Sequence, residues 1–282
     1  MTNTVADIGD LPNELVCVPH QYIAVSGLDM VNNTFQKAIW ENLTQSRRAD
    51  RLPLYFRLVS SEQEFPKAKP QRNSYDQYVP RGIFKCNWFS KHLYCVPAVA
   101  VIFMELDWDH SSWPEKLQEC SSKVEAIRHS LEGRSTRVAV VLIQTTPPLP
   151  PGEDVRAGER ATELCTTCDL SPKSLFCLPR TDQLYGYVLR LEHAFYELAS
   201  SYYQGEIKRV KAKKDSLIKE KPSHQSLMIR YNIKLAFFSE IKQDTHSALK
   251  CYKQGYNQLT EMKLSKININ EIRSIAGFLN YK

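Results

Sequence analysis

From Gln21 to Arg180 short runs rich in β-branched and aromatic residues alternate with stretches whose apolar residues recur at spacings of three and four. That alternation predicts a parallel sheet covered by crossover helices. Five strands are expected, at Tyr22 to Ser26, Leu54 to Ser60, Ala98 to Glu105, Arg137 to Gln144 and Ser174 to Leu178. The third, with Val99, Val101, Ile102 and Phe103, and the fourth, with Val138, Val140, Val141, Leu142 and Ile143, are apolar on consecutive positions. Strands of that kind are covered on both faces, which puts these two at the centre of the sheet. Helices fit between strands at Met30 to Gln45, Pro114 to Leu131 and Glu153 to Cys168. The second opens on a proline and meets a stop at Gly133, and the third opens on an acidic turn. The stretch from Glu62 to Val96, with Pro66, Pro70 and Pro80, reads as a long excursion between strands two and three.

After Pro179 the period changes. Thr181 and Asp182 cap a long amphipathic helix with Leu184, Val188, Leu191, Phe195, Leu198 and Tyr202 on one stripe. The helix continues, more charged, through Lys208 to Lys219 and breaks at Pro222. Further helices are expected at Leu227 to Ile241, Thr245 to Met262 and Ile267 to Tyr281, and the short turns between them imply antiparallel packing. Ala248, Tyr252, Tyr256 and Leu259 set a small residue and then large ones on one face, as in tetratricopeptide-type hairpins. The apolar end at Phe278-Leu279-Asn280-Tyr281 leaves a stacking face open and predicts that the solenoid continues. The fold class expected is therefore α/β: a five-stranded, mostly parallel, Rossmann-like sheet over residues 12–180, with a long loop at 62–96. The start of an α-helical, tetratricopeptide-like solenoid follows over residues 181–282.

Charge narrows the function classes. The 37 basic and 31 acidic residues leave a formal +6 on a mixed surface, not the concentrated field of a dedicated nucleic-acid binder. Asp7, Asp10 and Glu14 stand where a secretory signal would need a basic start and an apolar stretch. Apolar runs such as Val96 to Phe103 fall far short of the roughly 20 residues a membrane span requires. A cytosolic chain with its eight cysteines reduced is the expectation.

In an open α/β sheet, ligands bind beyond the carboxyl ends of the strands. The residues to weigh there are Gly27 and Asp29, Asp107 and Asp109, Thr145 and Arg180. The carboxylates of Asp29, Asp107 and Asp109 have the chemistry for a magnesium ion or a phosphoryl group. Against that, acidic residues in such loops commonly form turns and caps, and Arg180 stands where a phosphoacceptor site would want a lysine. The chain has neither GxGxxG nor GxxxxGK[ST], so phosphate loops are missing and no cofactor is expected. Cys165 and Cys168 lack the second ligand pair that zinc requires, and they end a helix, where the dipole disfavours thiolate. No GxSxG elbow accompanies the histidines, and His129, His193 and His246 all fall within predicted helices. Pro147 to Pro151 matches PxxP but serves as a stiff connection.

Glu206 to Lys221 carries seven basic and three acidic residues. Lys208, Arg209, Lys211, Lys213 and Lys214 are candidates for contact with an anionic surface, against the plainer reading of a solvated helix face. Tyr202, Tyr203, Tyr252 and Tyr256 are candidates for partner contact where they are exposed, and otherwise belong to the core of the helical layer.

Several stretches together resemble the foie gras region of the trafficking protein particle (TRAPP) complex subunit 11 family. They are Arg47-Arg48-Ala49-Asp50-Arg51, Glu105-Leu106-Asp107-Trp108-Asp109, Val138 to Gln144 with Pro148 to Val155, Ala236 to Thr245, and Ala276 to Lys282. The resemblance runs over residues 12 to 282, leaving the loop around Glu62 to Asn73 partly unmatched. It implies a non-catalytic scaffold or arm of a tethering and Rab-activating complex in ER-to-Golgi transport, peripheral to those membranes. Its implied partners are TRAPP core subunits and other large TRAPP subunits, with a Rab GTPase reached through the complex. The alternatives are an α/β enzyme or receiver-like domain with an acidic metal site, and a peripheral membrane-binding module.

Overall fold

In a computed structural model of the chain, residues 16–45, 50–60, 62–68, 83–85, 87–145, 155–220 and 225–264 are described. The expected helix at Ile267 to Tyr281 and the proline stretch at Pro147 lie outside them. The strands are β1 (Gln21–Ser26), β2 (Leu54–Leu58), β3 (Val99–Glu105), β4 (Arg137–Gln144) and β5 (Leu175–Pro179). The helices are α1 (Thr34–Gln45), α2 (Trp113–Ser130), α3 (Val155–Thr167), α4 (Leu184–Glu220), α5 (Gln225–Ile241) and α6 (Thr245–Leu264), and a short helical turn, α then π, spans Trp88–Cys95 between β2 and β3.

All strand pairs are parallel, in the order β2-β1-β3-β4-β5. The winding reverses between β1 and β3, so crossovers going opposite ways place helices on opposite faces. As expected, β3 and β4 are central and buried on both faces over most of their length. One face, with Tyr22, Ala24, Ala100, Ile102, Val140 and Leu142, packs against Leu117, Cys120 and Val124 of α2 and Leu164 of α3. On the other face Phe195 of α4 meets Phe56 of β2 at 6.5 Å and Phe176 of β5 at 5.9 Å between ring centroids. Each such side chain, wholly buried, contributes about 1.5–3 kcal/mol.

Element ends differ from expectation for local reasons. Helix α1 begins at Thr34, four residues late, because the Asp29 carboxylate accepts Val31 and Asn32 amides, each at 2.9 Å, and makes a turn of its own. The cap is Asn33, whose Oδ1 accepts the Gln36 amide at 3.1 Å. β5 starts one residue late because Pro172–Ser174 forms a 3-10 turn. Arg180 N donates to Gln144 O at 2.7 Å, continuing the ladder past Pro179, which has no amide hydrogen to give.

The chain divides into two compact units. One comprises Gln21–Lys69 and Val96–Tyr202, the other Met1–His20, Pro70–Cys95 and Tyr203–Lys282. The division falls inside α4, so its first half belongs with the sheet. The supposed excursion before β3 contributes Trp88 and Phe89 to the helical unit, where both rings pack on Phe237 of α5. α5 is buried on nearly every side, as suits a helix enclosed by others. Its Asn232, 1% exposed, accepts from Lys214 of α4 at 2.7 Å and donates to Gln258 of α6 at 2.8 Å.

The stripe of α6 that faces α5 departs from the one read from the sequence at Tyr256, while Ala248, Tyr252 and Leu259 are buried or half-buried. Ala248 and Met262 are buried, whereas Tyr256 is 69% exposed. The contact passes through Gly255, where an added Cβ would stand 3.3 Å from the Ile233 side chain. Spacing explains the correction: alternating steps of four and three from Ala248 lead through Tyr252 to residue 255, and 256 lies a further 100° round the helix.

Candidate functional site

The crevice between the carboxyl ends of β1 and β3 is where a doubly wound sheet would hold a ligand. Gly27 closes the end of β1 at φ +84°, and its Cα lies so close to β3 that a Cβ would overlap the Phe103 carbonyl oxygen. Beyond it the polar groups bind one another. Asn33 Nδ2 and Gln36 Nε2 both donate to Glu105 Oε1 at 2.8 Å, and Gln36 Oε1 accepts the Asp29 amide.

Two of the three candidate carboxylates, Asp29 and Asp107, have local partners of their own. Asp29 is held below the usual carboxylate range by the amides of Asn32 and Val31. Asp107 accepts the Thr145 amide at 2.7 Å and is also bound by the Thr145 hydroxyl, which ties the loop after β3 to the end of β4. Asp109 stands in the turn after Trp108. Among the described residues no three His, Cys, Asp or Glu side chains are grouped so as to hold a metal ion. Arg180 lies over the Phe35 ring at 5.4 Å.

The cysteine cluster has a member that spacing did not suggest. Cys168 sulfur is 4.0 Å from that of Cys120 on α2, and none of Cys120, Cys165 and Cys168 is in a disulfide. The contact with Cys168 pushes the Cys120 thiol up, as does burial, while Cys120 and then Arg128 pull Cys168 down. Burial raises Cys165. Cys120 joins this pair only through the packing of α2 on α3, which sequence spacing does not encode.

Of the tyrosines, Tyr202 and Tyr203 are 3% and 1% exposed and belong to the interior. The Tyr203 ring lies 6.1 Å from Phe238. Tyr252 is half-buried and donates to Glu240 at 2.7 Å; burial and that carboxylate raise its pKa. Tyr256, with Leu249 at 55%, makes the exposed apolar strip of α6. In the basic part of α4, Lys208, Arg209 and Lys211 are exposed, whereas Lys213 and Lys214 are half-buried. Arg209 pairs with buried Glu206. No helix among the described residues is long and apolar enough to cross a membrane.

Residues 73–185 match the family described as the trafficking protein particle complex subunit 11 N-terminal domain. The chain is 52% identical over 273 residues, 97% of its length, to trafficking protein particle complex subunit 11 of Bos taurus and of Homo sapiens, and equally to that of Gallus gallus. It spans 24% of the length of those relatives. The resemblance read from scattered motifs thus extends through both compact units.

Proposed function

We propose that this chain, which corresponds in sequence to the N-terminal region of trafficking protein particle complex subunit 11, is a non-catalytic scaffold arm of a tethering and Rab-activating complex. It docks on the small core subunits and other large subunits of that complex, meets a Rab GTPase only through them, and works at ER-to-Golgi membranes without spanning them. The observation that carries the reading is the 52% identity sustained over 97% of the chain. Supporting it, the polar groups at the sheet's ligand-binding edge are engaged with one another, and the sequence has no phosphate loop.

The test is a Rab loaded with a fluorescent nucleotide, followed with the chain alone, with purified core, and with both. The chain alone is expected to leave nucleotide release at its spontaneous rate. Acceleration by the chain without core, or micromolar nucleotide binding by the chain in calorimetry, overturns the proposal.

A further inference from the structure

Cys120 lies in the middle of α2 and Cys168 directly follows α3, 48 positions later in sequence, yet their sulfurs are 4.0 Å apart. Packing of the two helices on one face of the sheet makes the contact, since Cys120 and Val124 of α2 and Leu164 of α3 share a core cluster with Cys168. The two residues are 0% and 2% exposed. A disulfide holds its sulfurs at about 2.05 Å, so closing the contact takes a movement of about 2 Å, on the scale of a side-chain rotation. Arg128, two turns after Cys120 on α2, fixes the end of α3: its guanidinium donates to the carbonyls of Cys168 and Asp169, each at 2.6 Å. Those carbonyls form the negative pole that opposes a thiolate at a helix end, and the cation beside them offsets it.

The two sulfurs are not equivalent. Cys168 lies just under the surface, between exposed Thr167 and Asp169, whereas Cys120 is deep in the helix interface. Cys120 and then Arg128 pull Cys168 down, against burial and Glu125, while the contact with Cys168 and burial push Cys120 up. Cys168 is therefore the attacking sulfur and Cys120 the resolving one. Cys165, one turn back on α3, is half-buried and packs against the same cluster, but the sulfur contact is between Cys168 and Cys120. We propose that Cys120 and Cys168 form a dithiol that hydrogen peroxide converts to a disulfide, stapling α2 to the end of α3. The Cys168 sulfur attacks one peroxide oxygen, the O–O bond breaks, and the departing hydroxide takes the thiol proton to leave as water, with a sulfenic acid on Cys168. The Cys120 sulfur then attacks the Cys168 sulfur; the S–S bond forms as the S–O bond breaks, and a second water leaves with the Cys120 proton. Two thiols lose two electrons and one peroxide becomes two waters. The inference is separate from the scaffold role, since no partner enters it.

The test treats the folded 282-residue chain with hydrogen peroxide, blocks the remaining thiols with N-ethylmaleimide in urea, and maps unreduced tryptic peptides by mass spectrometry. A peptide pair joining Cys120 to Cys168 is expected, with Cys165 carrying the maleimide, and dithiothreitol should reverse the cross-link. The oxidised chain should melt several degrees above an aliquot returned to the thiol state, because a closed loop of this length restricts the unfolded chain. Cys120→Ala should leave Cys168 at the sulfenic acid, which dimedone labels, and Cys165→Ser should form the disulfide at a rate within about twofold of the parent's. Circular dichroism checks that each variant folds, and the map of the parent decides the matter even where a core substitution does not. No Cys120–Cys168 peptide at peroxide concentrations that oxidise the exposed Cys95, pairing of Cys168 with Cys165 instead, a cross-link that forms only when peroxide is added to the unfolded chain, or an oxidised chain that melts no higher than the reduced one overturns the proposal.

Discussion

Gly27 occupies a backbone conformation, φ +84°, that side chains rarely adopt, with the Phe103 carbonyl where a Cβ would go. Gly27→Ala is expected to cost about 3 kcal/mol or more, combining left-handed strain with a steric overlap that only strand movement relieves. Urea denaturation of the two proteins measures it. A second residue-scale test concerns Arg51, whose Nη2 lies 2.9 Å from Glu192 with both side chains buried, under the Tyr196 ring at 4.7 Å. Glu192→Leu strands the guanidinium and should cost about 3–5 kcal/mol, whereas adding Arg51→Met should recover most of that loss. Glu119 gives the pH dependence. Hydrogen bonds from Lys116 and Lys123, at 2.7 and 2.6 Å, pull it from 4.5 to about 2. Because the folded value is the lower, this stabilisation is complete above about 4.5 and disappears as pH falls towards 2. The side chain is 40% exposed, so the effect is screened to under about 1 kcal/mol. Glu119→Gln should flatten that part of the acid limb. At this scale the sequence located Asp29 and Asp107 at the correct sheet edge but could not show that they are spent on turns, since Thr145, the partner of Asp107, comes from the end of another strand.

Element by element, periodicity carried the sheet. Consecutive apolar residues identified β3 and β4 as central, and the stripe from Leu184 to Tyr202 identified the first half of α4. Two features were beyond it. The turn at Trp88–Cys95 is too short to show a period, and its aromatic residues read equally well as loop until Phe237 and Phe238 are placed against them. On α6, large side chains drew attention to Tyr256 although the close approach needs the small residue beside it, Gly255. Gly255→Leu should therefore loosen the α5–α6 hairpin, lowering the thermal midpoint by several degrees for roughly 2 kcal/mol of overpacking. Tyr256→Ala, at an exposed position, should leave the midpoint within a degree or two. A chain cut after Arg180 would lose Phe195 from between Phe56 and Phe176. Such a fragment should bind 8-anilinonaphthalene-1-sulfonate, which the intact chain should not.

At the scale of the whole molecule, the wound sheet and the helical layer are each assembled from segments far apart in sequence, and neither carries a glycine-rich phosphate loop or a grouped metal-ligand set among the described residues. Short antiparallel helices present extended surfaces suited to protein partners. Leu249 and Tyr256 are exposed on α6, and in the proposed scaffold role Tyr256 would be the aromatic anchor of a docking surface. The most direct test of the scaffold role is capture of the purified chain by immobilised TRAPP core subunits, presented one at a time, with Tyr256→Ala as the paired variant. The account predicts saturable binding to at least one subunit, weakened about tenfold by Tyr256→Ala. Absence of binding to every core subunit, with the chain shown to be folded, would contradict it.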